Sequence, residues 1–158
     1  MPYLSEDDET QRRLYFTIYS RINFASIIVM VSTLALLGNW LLVLLYGEEF
    51  SDSGIPFSIL LVGMVFTAMS QLFSIMLFSK GKNNIALIAN SIGLFFTVIL
   101  DIVLIPRYGI NGAAAATSLS YFFLFAFLLY NLLIKEKFAF NELFIVRKSD
   151  FTKIFQRD

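Results

Sequence analysis

Ile105-Pro106-Arg107-Tyr108-Gly109-Ile110-Asn111-Gly112-Ala113-Ala114 lies between two apolar runs, and each run is long enough to cross a bilayer. Proline removes a helical N–H and glycine tolerates the backbone of a tight turn, so the stretch reads as the reversal between two membrane helices. Gly112 and the alanines after it would let the returning helix pack closely. Working outward, residues equivalent to roughly 20 apolar positions are needed per span. Four runs meet that length: 24–46, 57–79, 85–105 and 110–134.

Composition fits this solvent. The 158 residues are 58% hydrophobic and only 15% charged, and the mean hydropathy is +0.73, which excludes an ordinary soluble domain. The joints are short and polar: Gly47 with Glu48, Glu49 and Asp52, then Lys80-Gly81-Lys82-Asn83, then Pro106 to Gly109. Short joints make consecutive helices antiparallel neighbours. The expected fold is therefore all-α, an integral membrane bundle of four antiparallel transmembrane helices. A segment 1–23, helical from near Glu9, precedes the domain at 24–134, and a tail at 135–158 follows it. In that tail Phe140, Phe144, Phe151 and Phe155 alternate with Lys and Arg, which suits an amphipathic helix on the membrane surface or a loosely ordered end. No internal repeat stands out.

Basic residues set the orientation. Arg12, Arg13, Arg21, Lys80, Lys82 and the six Lys and Arg after residue 134 fall on one side of this topology, leaving Arg107 for the other. Both termini are expected in the cytoplasm, and the first run is read as a retained span because it is too long for a signal-peptide core. The formal net charge is zero, so no nucleic-acid partner is implied, and the partner that composition does imply is membrane lipid. The chain has neither Cys nor His. That removes thiolate catalysis, the commonest general base and Cys or His metal sites, and no phosphate-binding glycine loop is present. Neither a catalytic residue nor a metal or cofactor site is expected, and the protein is read as no enzyme.

Polar residues inside the spans mark faces turned away from lipid. Ala86, Asn90, Gly93, Thr97 and Asp101 share one helical stripe, as do Gly63, Thr67, Ser70, Gln71 and Ser74, while Gly112, Ala116 and Ser120 form a small-residue seam. Asp101 is the one acidic residue within a span, and an intramembrane carboxylate is a functional candidate by default. It lies only about 7 Å from the helix end, so a structural role at the interface is equally open. A carboxylate near a helix C-terminus opposes the helix dipole, so a compensating partner such as Arg107 is expected. Asn39 and Gln71 complete the residues that either line a substrate path or make packing hydrogen bonds.

These residues carry a family resemblance. Tyr46-Gly47-Glu48-Glu49-Phe50 after a span, Gly81 in the second joint, and Asp101 through Thr117 across the third together resemble the C-terminal portion of the bacterial polysaccharide-export flippases, relatives of the multidrug and toxin extrusion transporters. The likeness runs from about Pro2 to the start of the tail. It implies a multi-pass protein of the bacterial cytoplasmic membrane that moves an undecaprenyl-pyrophosphate-linked oligosaccharide outward by alternating access between two helical lobes. Such proteins have twelve or more spans and this chain supplies four, so the resemblance also implies a further N-terminal lobe or partner half. Basic residues of the family cavity are associated with the pyrophosphate, and no span here contains Lys or Arg. Two other readings stay open: an ion-coupled exporter of small amphiphiles, which would need Asp101 for coupling, and a self-sufficient four-helix assembly protein.

Overall fold

The computed structural model describes residues 6 to 145; the rest of the tail, including Phe151, Phe155 and its last four basic residues, lies outside the described residues. The described chain is almost wholly helical. α1 runs Glu6–Tyr46, a 3-10 turn Glu48–Ser53 leads into α2 Gly54–Ser79, and α3 Asn83–Tyr130 passes through a π-helical turn Asn131–Lys135 towards the short α4 Phe140–Phe144. The all-α expectation holds.

Three helical stretches are long and apolar enough to cross a membrane, one fewer than expected, and the third joins two helices across a kink. The difference lies at Gly109. At φ 56 and ψ −132 it alone leaves helical geometry within α3, so the chain kinks there between two helices that follow each other almost without a joint. A 48-residue helix would extend about 72 Å if straight, more than twice the hydrocarbon thickness. It is not straight. Gly93 abuts Leu124, Phe96 stacks on Phe123 with centroids 4.0 Å apart, and Gly112 faces the backbone of Leu104. As residue numbers rise along one arm they fall along the other, the signature of an antiparallel hairpin. The arms are residues 83–108 and 110–130.

The reversal depends on two glycines. Gly109 adopts a positive φ that costs an L side chain about 1–2 kcal/mol. At Gly112 the constraint is space, because a Cβ there would clash with the Leu104 carbonyl oxygen and stand 2.6 Å from its carbon. Neither neighbour is a flexible side chain. Gly112, Ala116 and Ser120 are all buried, so the small-residue seam is the surface on which the second arm packs. At the other end of α2, Gly81 at φ 71 closes the helix by donating to the Phe78 carbonyl while Lys82 donates to Leu77.

α2 lies between α1 and the α3 hairpin. A Cβ on Gly63 would stand 3.0 Å from the Ser118 backbone, and the Ser118 hydroxyl donates to the Ile59 carbonyl at 2.8 Å. Such interhelical hydrogen bonds contribute about 0.6 kcal/mol each in a membrane. Burial from lipid supplies little driving force, since lipid tails are as apolar as leucine, so close packing has to hold the helices together. The best-packed region gathers Phe73 and Leu77 of α2, Leu128 and Leu132 from the end of the hairpin, and Leu143 of α4, all fully buried. Phe16 of α1 completes it, 6.3 Å from Phe73 between ring centroids. Outside, Leu36, Leu45, Leu94, Ile102 and Ile110 are among the many large apolar side chains left exposed.

Gly112→Ala is expected to lower the melting temperature in detergent by several degrees, because backbone must move to admit one methyl group. Ile110→Ala, two residues away on the exposed face, should stay within about 0.5 kcal/mol of the parent. Equal effects of the two substitutions would contradict the backbone approach.

Candidate functional site

The polar stripe of α2 does not disappear into the bundle. Thr67, Ser70, Gln71 and Ser74 line one wall of a cavity of ≈ 450 Å³, with Asn90 from the first arm of α3 and Tyr121 from the second opposite them. Ser70 is buried and its hydroxyl returns to the Phe66 carbonyl at 2.7 Å. Gln71 and Asn90 remain exposed, and neither makes a hydrogen bond among the described residues. A carboxamide facing hydrocarbon without a partner costs on the order of several kcal/mol. This face therefore calls for water, ligand or further protein against it. The groove can offer neutral donors and acceptors only, and that suits hydroxyl-rich or amide-bearing matter better than a charged group.

The hairpin determines which predicted residues meet. Gln71 and Asn90 are brought together because α2 and the first arm of α3 are adjacent and antiparallel. Thr97, two turns along, is half-buried and spends its hydroxyl on the Gly93 carbonyl at 2.9 Å. Asp101 is half-buried farther along the same arm and Arg107 is exposed near the turn, with no ion pair between them. Six helical residues place them about 120° apart around the axis, so the expected compensation does not form. Asn39 sits at the turn end of the bundle, where its side-chain oxygen approaches Gly54. There it lines a separate open depression with Asp52, Ser58 and Asn111.

Two residues of these cavities carried little signal in sequence. Tyr121 precedes Phe122 and Phe123 and reads as one more aromatic of a lipid-facing run; only the fold-back brings it to the groove that Gln71 lines. Asn111 reads as part of the turn, yet its side-chain oxygen is buried without a hydrogen-bond partner. No cluster of three Asp or Glu side chains that could hold a metal occurs among the described residues.

The opposite end of the bundle is closed by charge. After the π-helical turn the chain doubles back along α1, where the Arg13 guanidinium donates to the Lys137 carbonyl at 2.5 Å and lies over the Phe138 ring at 4.4 Å. Arg21 is buried with its Nε donating to the Glu142 carbonyl at 2.7 Å, and Ser20 donates to Leu143 at 3.0 Å. Phe144 meets Phe24 edge-on at 5.1 Å. The first part of the tail is thus docked on the bundle. Glu136 bridges the α2–α3 joint by pairing with Lys80 at 2.6 Å and with Lys82. Arg12, Arg13, Arg21, Lys80 and Lys82 consequently share one end, as the uneven distribution of basic residues predicted.

A model of the family described as Lipid II flippase MurJ matches residues 1–154. The chain belongs to this flippase family. A capsular polysaccharide biosynthesis protein, CapF of Staphylococcus aureus, is 30% identical over 113 residues, which is 72% of this chain and 27% of that relative. The flippase chain thus spans about a quarter of the length of the curated relative it matches. No solved structure matches it. Flippases are transporters and not enzymes. Membership of the family and three helices of spanning length and apolarity make this a membrane protein.

Glu136 makes the charged end sensitive to acid. Burial pushes its carboxyl up, but hydrogen bonds and the charges of Lys80 and Lys82 outweigh that and hold it below the ordinary carboxylate range. Its contribution to stability is thus complete above the unfolded carboxylate pKa and is lost as pH falls through the lower, folded value. Glu136→Gln should cost about 1–3 kcal/mol at neutral pH, since it leaves two lysines without their carboxylate. It should also flatten the acid limb of the melting-temperature profile in detergent, and an unchanged acid limb would show that Glu136 does not govern it.

Proposed function

We propose that this chain is the part of a flippase that lines one wall of the passage for a lipid-linked oligosaccharide in the bacterial cytoplasmic membrane. The observation that carries the reading is the α2–α3 groove, where Gln71 and Asn90 present unpaired carboxamides on an otherwise apolar bundle. Neutral hydrogen-bonding groups of this kind suit sugar hydroxyls, and a wall needs a facing lobe to enclose a passage. We assign that lobe to further helices or to a partner half, with the two halves alternately opening to either side. The capsular polysaccharide protein supports an envelope saccharide as the cargo, and lack of Lys or Arg in the groove leaves the pyrophosphate to the facing lobe.

Replacing Gln71 and Asn90 together by Leu should leave folding intact, because both side chains are exposed. In cells whose surface polysaccharide depends on this flippase, export by the double variant should fall about tenfold or more, equivalent to about 1.4 kcal/mol or more of lost transition-state stabilisation. Asp101→Asn separates this reading from the ion-coupled exporter. Near-parental export with that variant supports the flippase passage, whereas abolished export would favour a coupling carboxylate half-buried in the first arm of α3.

The uneven charge distribution supports a cytoplasmic location for the Arg12–Lys82 end. A chain without cysteine makes the test direct. In intact cells a membrane-impermeant maleimide should label Tyr108→Cys and spare Lys82→Cys, and the reverse pattern would invert the proposed topology.

A further inference from the structure

We infer that the cleft between α1 and α2 beside Arg12 is a binding site for a phospholipid with a single anionic phosphodiester headgroup. The cleft has a volume of ≈ 490 Å³ and shares only Ile75 with the α2–α3 groove. Its wall is apolar, built from Phe16 and Tyr19 of α1 with Leu72, Ile75 and Met76 of α2, and Arg12 and Tyr15 stand at its charged end. Tyr19 and Ile75 are more than half exposed, so the cleft is open along its side to the surrounding lipid. That shape admits one acyl chain laid against the helices.

Charge identifies the headgroup. Among the basic residues at this end, Lys80 and Lys82 are held by Glu136, Arg13 by Glu142, and Arg21 by the Glu142 carbonyl. Arg12 meets no carboxylate among the described residues; its Nη1 donates to the carbonyl of Ser79 at 2.9 Å. That contact uses one donor of a five-donor fork and anchors the guanidinium at the end of the cleft. A phosphate diester is the acceptor that such a fork matches best in a lipid setting.

Depth agrees with this occupant. Ser79 is the last residue of α2, and 26 helical residues extend about 39 Å against about 30 Å of hydrocarbon, so the Arg12–Ser79 contact lies at headgroup level. Tyr15 and Tyr19 occupy the level at which amphipathic rings collect in membrane proteins. A basic pocket between helices on the side rich in Lys and Arg is the arrangement that recognises anionic headgroups. The inference rests on the membrane setting and holds whatever cargo crosses the α2–α3 groove.

Native mass spectrometry of the purified full chain in neutral detergent, titrated with phosphatidylglycerol or phosphatidylcholine, tests the site. The parent should bind phosphatidylglycerol about tenfold more tightly, and Arg12→Gln should erase that preference while Arg107→Gln, at the other end, retains it. Leu72→Trp leaves the guanidinium in place and fills the acyl slot, so it should lose phosphatidylglycerol even if Arg12→Gln does not fold. Equal binding of the two lipids by the parent, or undiminished phosphatidylglycerol binding by Leu72→Trp, would overturn the proposal. Stronger binding of an isoprenyl pyrophosphate than of phosphatidylglycerol, lost in Leu72→Trp, would overturn it too and reassign the cleft to the cargo.

Discussion

A carbonyl oxygen occupies the place where a side chain would begin at Gly112, and the rest of the bundle follows from that contact. Backbone-to-backbone approach between Leu104 and Gly112 sets how closely the two arms of α3 run and in what register. Register then decides that Phe96 stacks on Phe123 and that Leu124 covers Gly93. Once the arms are locked, Ser118 and the seam around it present a smooth surface to α2, and Gly63 allows α2 to settle onto it. In hydrocarbon, where apolar burial from lipid yields little, such close approach is the main source of cohesion.

The groove is a by-product of the same geometry. Two polar stripes, one on α2 and one on the first arm of α3, line it together, and Tyr121 of the returning arm joins them. Small residues draw the helices together at Gly63 and Gly112, while the polar residues beyond them are left facing an opening.

The charged end works by a different principle. Chains leaving a membrane are commonly held by basic residues at the headgroups, yet here the tail returns and delivers carboxylates and carbonyls to them. Glu136 ties the α2–α3 joint, and the 136–145 segment satisfies Arg13 and Arg21 on α1, so three elements end in one polar knot over the fully buried Phe73, Leu77 and Leu132. Arg12 stands apart from the knot because its contact is the carbonyl of Ser79 at the end of α2.

Helix content, the joints, the side that collects the basic residues and the small-residue seam were legible in the sequence because each depends on local chemistry: lipid demands internally satisfied backbone, glycine and proline interrupt it, and charge avoids hydrocarbon. The pairing of Gln71 with Asn90 was half legible, since each stripe showed in its own helix but nothing local says which stripes face one another. Asp101 and Arg107 show the converse, a plausible pair that helical angle keeps apart. Tyr121, Asn111 and the docking of Glu136 and Glu142 on distant cations could not be read, because the sequence separations are wide and aromatic or polar residues give no hint of their partner. By itself the sequence determined that this is a helical membrane protein with one basic end. The tertiary structure decided how the two passes that meet at the Gly109 kink fold back on each other, and which polar residues share a groove, because contact across helices depends on register and rotation, which local patterns do not encode.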